Sequence, residues 1–414
     1  MLNAGCILAA AFWICVFLRS AKDANPRRQT AEGTREGWWR GVRSVLREFI
    51  ESRQQPAPPL HARPHVWLAT IAISLAAFQS TLWNPFQFDA FTHLFEVRDA
   101  ALPTILARFS RGTGETLFFR PVGWLAYWID AHGSGTDLLR WHLVNILLHA
   151  GNGLLVYLLL LRLDLQRFPS AFGALAFLTS GITAEPVAWI DAPFDLLATL
   201  FLLLAILELL HWTQSGRWIH LTVGCALVAV ACCTKESAFC APLLIGAIAL
   251  SKSGPERKRA WTAAGSVAAC CFVVFAYRWW ALGGIGGYRF TASLVHVPQL
   301  LLFRLWGVLL FPVNWSVDVP AIVLFVYTAA LMFAAVRSRA RRTTLICGIA
   351  WLAAAVLPAL PIALIPFDLS GSRVYYLASV GFAIAFASTI EGFQPGRTQA
   401  GVAVVVVVFN LVLL

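Results

Sequence analysis

Apolar residues along this chain fall mostly in blocks of about 16 to 23, the length an α-helix needs to cross a hydrocarbon core about 30 Å thick. Such blocks are too long for barrel strands, so the pattern predicts helices throughout. They cover residues 2–18, 65–83, 139–161, 168–184, 193–212, 217–234, 238–250, 261–281, 319–336, 343–361, 375–390 and 399–414. That makes an all-α polytopic membrane protein with about twelve transmembrane helices. Between residues 84 and 138 two shorter pieces, near 97–109 and 121–131, mix rings or aliphatics with polar residues. They read as helices lying along the membrane interface.

The sign of the loops orients these spans. Arg162 and Arg167, Arg217, the Lys252-to-Arg259 cluster and Arg337, Arg339, Arg341 and Arg342 lie in alternate loops. Basic loops stay cytoplasmic, so the stretch from Asn84 to Glu96 is external. Residues 297–311 form one further apolar run, containing Arg304. Counting it as a crossing would put the four arginines outside, so it reads as re-entrant or interfacial. The first run is followed, not preceded, by basic residues, which predicts an uncleaved anchor over 1–18 rather than a signal peptide. Residues 19–64 then form a basic cytoplasmic linker. In it Trp38, Val42, Val45, Leu46 and Phe49 share one helical face, a pattern that fits an amphipathic surface helix and equally a solvated linker. Residues 65–414 form the membrane domain, and the last apolar run carries no polar tail, as either a bare span or an incomplete chain would.

Composition sharpens this picture. Of 414 residues, 59% are hydrophobic and only 13% charged, where a soluble domain carries about a quarter charged residues. The net charge of +11 is explained by the cytoplasmic loops, not by a nucleic-acid surface. The nine cysteines lie in or beside apolar runs with no Cys-x-x-Cys spacing, so they read as small buried hydrophobes.

Ionisable groups near lipid are costly, and those that remain mark candidate sites. With this topology Asp89, His93, Glu96, Arg120, Glu185, Asp191, Asp195, Lys235, Glu236, Arg278, Arg289, Asp368 and Arg373 collect on the external side. Asp191 and Asp195, each close to a proline, read as helix caps. His142, Asn145 and His149 form one stripe on an apolar helix, a pattern suited to interhelical hydrogen bonds. Gly283-Gly-Ile-Gly-Gly-Tyr288 has the glycines of a phosphate loop but no strand before it, and reads as a turn. Carboxylates and cations together on one membrane face suit transfer from a lipid-phosphate donor. Cations bind the leaving phosphate, and a carboxylate takes the acceptor's proton. No cofactor and no Asp-x-Asp metal site is needed, with a divalent metal left open.

Several segments also resemble the GT-C membrane glycosyltransferases, in the branch of the tetratricopeptide-repeat O-mannosyltransferases and their bacterial relatives. Phe88-Asp89-Ala-Phe-Thr-His93 is similar to the family's acidic pair, with Ala90 in place of the second acid. Phe119-Arg-Pro121, Trp141-His-Leu-Val-Asn-Ile-Leu-Leu-His149, Ala184-Glu-Pro-Val-Ala-Trp189, Asp195-Leu-Leu-Ala-Thr-Leu-Phe201, Thr234-Lys-Glu236 and Ser372-Arg-Val-Tyr-Tyr-Leu-Ala-Ser379 resemble further motifs in order. The repeats themselves are absent from residues 1–414. The resemblance implies a GT-C-like helical bundle moving a sugar from a polyprenyl-phosphate carrier to a glycan, lipid or protein acceptor. It further implies an active site on the external side of a bacterial inner membrane. Carried over by position, Asp89 would be the base and Glu185 a second catalytic acid. Arg373 would bind the lipid phosphate, with Arg120 and Lys235 in support, and His149, Glu236 and Tyr376 complete the expected substrate-binding set. A transporter or flippase of lipid-linked sugars, or a catalytically silent relative that binds the carrier, is the alternative.

Overall fold

The computed structural model describes residues 64–87, 89–110, 118–287, 342–358 and 371–393, and within these there are helices and turns but no strands. The helices are α1 (Pro64–Phe78), α2 (Asp89–Arg98), α3 (Leu102–Leu106), α4 (Pro121–Ser134), α5 (Leu138–Arg162), α6 (Arg167–Leu178) and α7 (Ala184–Ala188). They continue as α8 (Pro193–Ser215), α9 (Trp218–Cys232), α10 (Ala241–Ser251), α11 (Gly254–Leu282), α12 (Arg342–Val356) and α13 (Tyr376–Glu391). The expected runs at 2–18, 297–311, 319–336 and 399–414, and the linker helix, lie outside the described residues.

Among the described residues four helical segments, Leu138–Arg162, Pro193–Ser215, Gly254–Leu282 and Ser372–Glu391, are long and apolar enough to cross a membrane. A fifth is gained if the bent pair Arg167–Leu178 and Gly181–Ala188 counts as one span, still short of the twelve expected. Shorter apolar helices, among them Trp218–Cys232 and Arg342–Val356, stand where other crossings were expected. These segments mark an integral membrane protein.

Packing runs in a closed circuit. Helix α5 touches α1, α6 and α8; α6 meets α13; α13 meets α12; α12 meets α10; and α10 leads through α11 back to α8. Lipid offers helices no hydrophobic incentive to associate, so close van der Waals contact carries the association. The α12–α13 crossing depends on two glycines. A Cβ on Gly381 would sit 2.6 Å from the Leu352 nitrogen, and one on Gly348 would sit 2.6 Å from the Ala385 nitrogen.

The first external segment differs from expectation in its breaks. Helix α2 begins at Asp89, and the piece expected at 97–109 is divided near Asp99 to Ala101. Pro103 explains the division, because it has no N–H to give and its ring crowds the carbonyl four residues back. The 283–287 stretch is a turn closing α11, with Gly283, Gly286 and Gly287 at positive φ. Arg278 donates to the Ile285 carbonyl within it.

Polar side chains gather at both ends of the bundle. At one end Lys252 donates to the Arg162 carbonyl at 3.3 Å, Arg259 donates to the Thr213 carbonyl at 3.1 Å, and Glu208 pairs with His220 at 2.7 Å. The opposite end holds the candidate site.

Candidate functional site

The site is braced by a polar stripe on α5. His142, Asn145, His149 and Asn152 recur about once per turn, and all four are buried. Each donates to a main-chain carbonyl on another segment. His142 Nε2 reaches Asn84 O at 2.9 Å, and Asn145 Nδ2 reaches Trp189 O at 2.9 Å. His149 Nε2 reaches Leu178 O at 3.1 Å, and Asn152 Nδ2 reaches Leu196 O at 3.0 Å. The need is clearest at Leu178, where the chain bends by 47° and leaves that carbonyl without a regular helical donor. A buried carbonyl left unsatisfied costs about 1–3 kcal/mol, so a side-chain donor there is a structural requirement. Because His149 Nε2 must donate, its Nδ1 accepts, and the Tyr376 hydroxyl donates to it at 2.7 Å. Asn152 Nδ2 also donates to that hydroxyl at 3.2 Å.

Above this brace lies a cavity of about 270 Å³. Helix α2 contributes Asp89 and His93, and the turn before α8 contributes Trp189 and Asp191. Phe194 and Asp195 come from the first turn of α8, Phe118, Arg120 and Trp124 from the start of α4, and Lys235 from the turn after α9. Arg373 enters on the short 3-10 turn Ser372–Tyr375. The close approach of α4 is made by Gly123, whose Cβ would overlap the Phe194 ring at 2.2 Å, and by a hydrogen bond from Val122 N to Cys233 O at 3.1 Å.

Charge in and behind the cavity is arranged in pairs. Lys235 Nζ bonds to Asp195, and the two residues are 9% and 4% exposed. His93 Nδ1 lies 2.7 Å from Asp191 Oδ1. Arg120 donates from Nε and Nη2 to Glu236 Oε2, at 2.9 and 2.7 Å. Glu185 accepts from Arg373 Nη1 at 3.0 Å, from Arg373 N at 2.8 Å and from Gly371 N at 3.0 Å. Two cations also lie on aromatic faces, Arg373 over Trp189 at 3.9 Å and Arg120 over Phe118 at 4.2 Å, which fixes their planes. Asp89 stands apart: it is exposed and lines the cavity without a hydrogen bond or ion pair from another described side chain.

These surroundings shift the proton affinities. Burial disfavours the charged His93 ring, but the Asp191 hydrogen bond and charge, with smaller pulls from Asp89 and Glu96, raise it above its ordinary value. Asp191 is raised too, first by burial and further by Asp89, against the lowering pull of His93. Burial lowers Lys235, with Asp195 opposing. Glu236 is lowered, because the Arg120 charge and hydrogen bond outweigh burial.

No protein-family model, no curated protein and no solved structure matches the chain. What can be said of the site therefore rests on its residues.

The structure brings Asp89, Arg120, Lys235 and Arg373 together on one cavity. Glu185 and Glu236 do not line it. Both stand behind it, holding Arg373 and Arg120, so Glu185 occupies a bracing place rather than that of a second cavity acid. His149 and Tyr376, expected to bind substrate, are fully buried against each other beneath the site. Asp191 and Asp195 correct the capping expectation: neither accepts from a helix N-terminus, and both are the partners of cavity cations. Ala90 is buried in a cluster with Trp124, Tyr127, Trp141 and Phe194, a setting hostile to a second acid. Ser372 Oγ lies 3.4 Å from Glu185 Oε2, so an acid at that position would face like charge. Among the described residues no three His, Cys, Asp or Glu side chains are grouped to hold a metal ion. Chemically, the cavity offers cations for a phosphate, rings for an apolar or sugar face, and one carboxylate open to a proton.

Proposed function

We propose that the protein is a GT-C-type glycosyltransferase that moves a sugar from a polyprenyl-phosphate carrier to an acceptor hydroxyl on the external face of a bacterial inner membrane. The observation that carries this reading is the contrast among the cavity acids. Asp191 and Asp195 are committed to His93 and Lys235, whereas Asp89 is exposed with no such partner. A carboxylate in that state is the group able to accept a proton. Arg373, Arg120 and Lys235 supply positive charge where a lipid phosphate would leave, and in a dry site such charge stabilises a developing anion strongly.

In the reaction the acceptor oxygen attacks the anomeric carbon and its proton passes to Asp89. The bond from that carbon to the phosphate oxygen breaks, and its electron pair leaves with the polyprenyl phosphate. One displacement inverts the anomeric centre. Transfer is favoured over transport because the deep polar residues, His149, Asn152 and Tyr376, are engaged with one another and with main-chain carbonyls. A transporter keeps its polar groups near the midplane for cargo.

The test is sugar release from a panel of radiolabelled polyprenyl-phosphate sugars by membranes containing the protein. Wild type is expected to transfer label, and Asp89→Asn to lose transfer while still eluting as a folded species in detergent. Full transfer by Asp89→Asn refutes the assignment of the base.

A further inference from the structure

We propose that Glu185 and Trp189 form a clamp that holds the Arg373 guanidinium with one edge, Nε and Nη2, presented to the phosphate of the lipid carrier. The proposal rests on the transfer reading above and adds two positioning residues to it.

Glu185 lies in the first turn of α7 and Trp189 closes that helix, so one short segment delivers both. They hold the same arginine in different ways. Glu185 Oε2 accepts from Arg373 N at 2.8 Å, and Oε1 accepts from Arg373 Nη1 and from Gly371 N, each at 3.0 Å. One carboxylate therefore caps the 3-10 turn Ser372–Tyr375, whose first N–H groups have no acceptor of their own, and also grips the side chain that leaves it. Trp189 supplies a third point, its ring 3.9 Å from the guanidinium carbon. A planar cation tied at its root, at one tip and over one face has little freedom left.

The clamp is itself moored. Pro186 stiffens the backbone beside Glu185. Asn145 on α5 donates to Trp189 O at 2.9 Å, and Trp189 Nε1 donates to Gln87 O at 3.3 Å. The α5 stripe thus sets the place of Arg373 through Trp189.

The clamp leaves one side of the arginine open. Arg373 Nε and Nη2 bond to no described residue, and neither atom is sealed from solvent. These two N–H groups form one side of the guanidinium fork, spaced to meet two oxygens of a single phosphate. The other cavity cations are placed differently. Lys235 Nζ is bonded to Asp195, and Arg120 directs Nε and Nη2 to Glu236 Oε2. Fixing the Arg373 fork before the ligand arrives removes the cost of ordering it from the binding step.

The test reads binding and does not depend on sugar transfer. The full chain in detergent is titrated calorimetrically with farnesyl phosphate (a short analogue of the leaving carrier), with farnesol and with inorganic phosphate. Farnesyl phosphate is expected to bind more tightly than either of the others. Glu185→Gln keeps an acceptor oxygen for the turn but loses the charge, and should weaken farnesyl phosphate about tenfold, as loss of one charged hydrogen bond does. Trp189→Leu keeps the main-chain mooring and should weaken it about fivefold. Arg373→Lys should weaken it about tenfold or more, because an ammonium has no fork. In the Arg373→Lys background neither clamp change should weaken binding further, since there is then no fork to orient. Losses that add in that background indicate a purely structural role and overturn the proposal. Unchanged affinity in both Glu185→Gln and Trp189→Leu overturns it too, as does equal binding of farnesol or inorganic phosphate by wild type. Full transfer by Asp89→Asn, by contrast, refutes the base and leaves the outcome of this cycle untouched.

Discussion

Replacing Lys235 with methionine removes one charge from a pair that solvent barely reaches, since Lys235 is 9% and Asp195 4% exposed. No other described side chain bonds to Asp195. The stranded carboxylate must either stay charged in a dry place or take up a proton. Protonation sets the ceiling on the cost: at about pH 7.5, neutralising an ordinary carboxylate costs ~5 kcal/mol at 1.36 kcal/mol per pH unit. The converse change, Asp195→Leu, strands an amine whose ordinary value is 10.5, and the same reasoning gives a ceiling of ~4 kcal/mol at that pH. Both agree with the ~3–5 kcal/mol found when one partner of a buried pair is removed. The double variant Lys235→Met/Asp195→Leu strands nothing, and apolar replacement of a buried pair is often neutral. Reversible unfolding of the four proteins in mixed detergent and SDS closes the cycle. Each single change is expected to cost ~3–5 kcal/mol and the double change under ~1 kcal/mol. The Lys235→Met deficit should also shrink as pH is lowered. Additive single costs, or a Lys235→Met cost below ~1 kcal/mol, refute the claim that the pair is dry and mutually dependent.

Stability should also vary with pH through His93. Its folded value lies above the ordinary 6.5, so its contribution is complete below pH 6.5 and is lost as pH rises through the raised value. Unfolding curves across that window are expected to show the decline in wild type but not in His93→Gln; a decline of equal size in the variant assigns it elsewhere. His149→Leu should cost ~1–3 kcal/mol by stranding the Leu178 carbonyl, while KM for a lipid-phosphate donor stays unchanged. A large rise in KM with normal stability would return His149 to the substrate. Gly381→Leu forces a side chain into the Leu352 backbone and should destabilise the bundle by at least ~1–3 kcal/mol in the same assay; a wild-type curve would contradict the close α12–α13 crossing.

Long periodic elements were readable from the chain. The apolar runs at 139–161 and 193–212 became α5 and α8 to within a few residues, because nothing inside either run competes with helix. The stripe on α5 was readable too, since its spacing is a local property. The break after Leu178 was not: Thr179 and Ser180 interrupt the run with no proline, and the donor that makes the bend tolerable is His149, 29 residues earlier. In the sequence Asp195 reads as a cap because Pro193 stands two residues before it. Its partner Lys235 is 40 residues away, a distance across which sequence pattern is silent. The same holds for His93 and Asp191. Position along the chain thus told which residues reach the site, and only folding told which acids were already spoken for.

The α5 stripe has one more consequence. Its four amide and imidazole donors address carbonyl oxygens at Asn84, Leu178, Trp189 and Leu196, and every residue type carries that oxygen. The moorings are therefore blind to the identity of the residues they hold. Side chains on the tethered segments can be exchanged, and what the cavity accepts can drift with them, while the frame that aims those segments stays in register. In this architecture the capacity for new specificity is decoupled from the cost of building the platform.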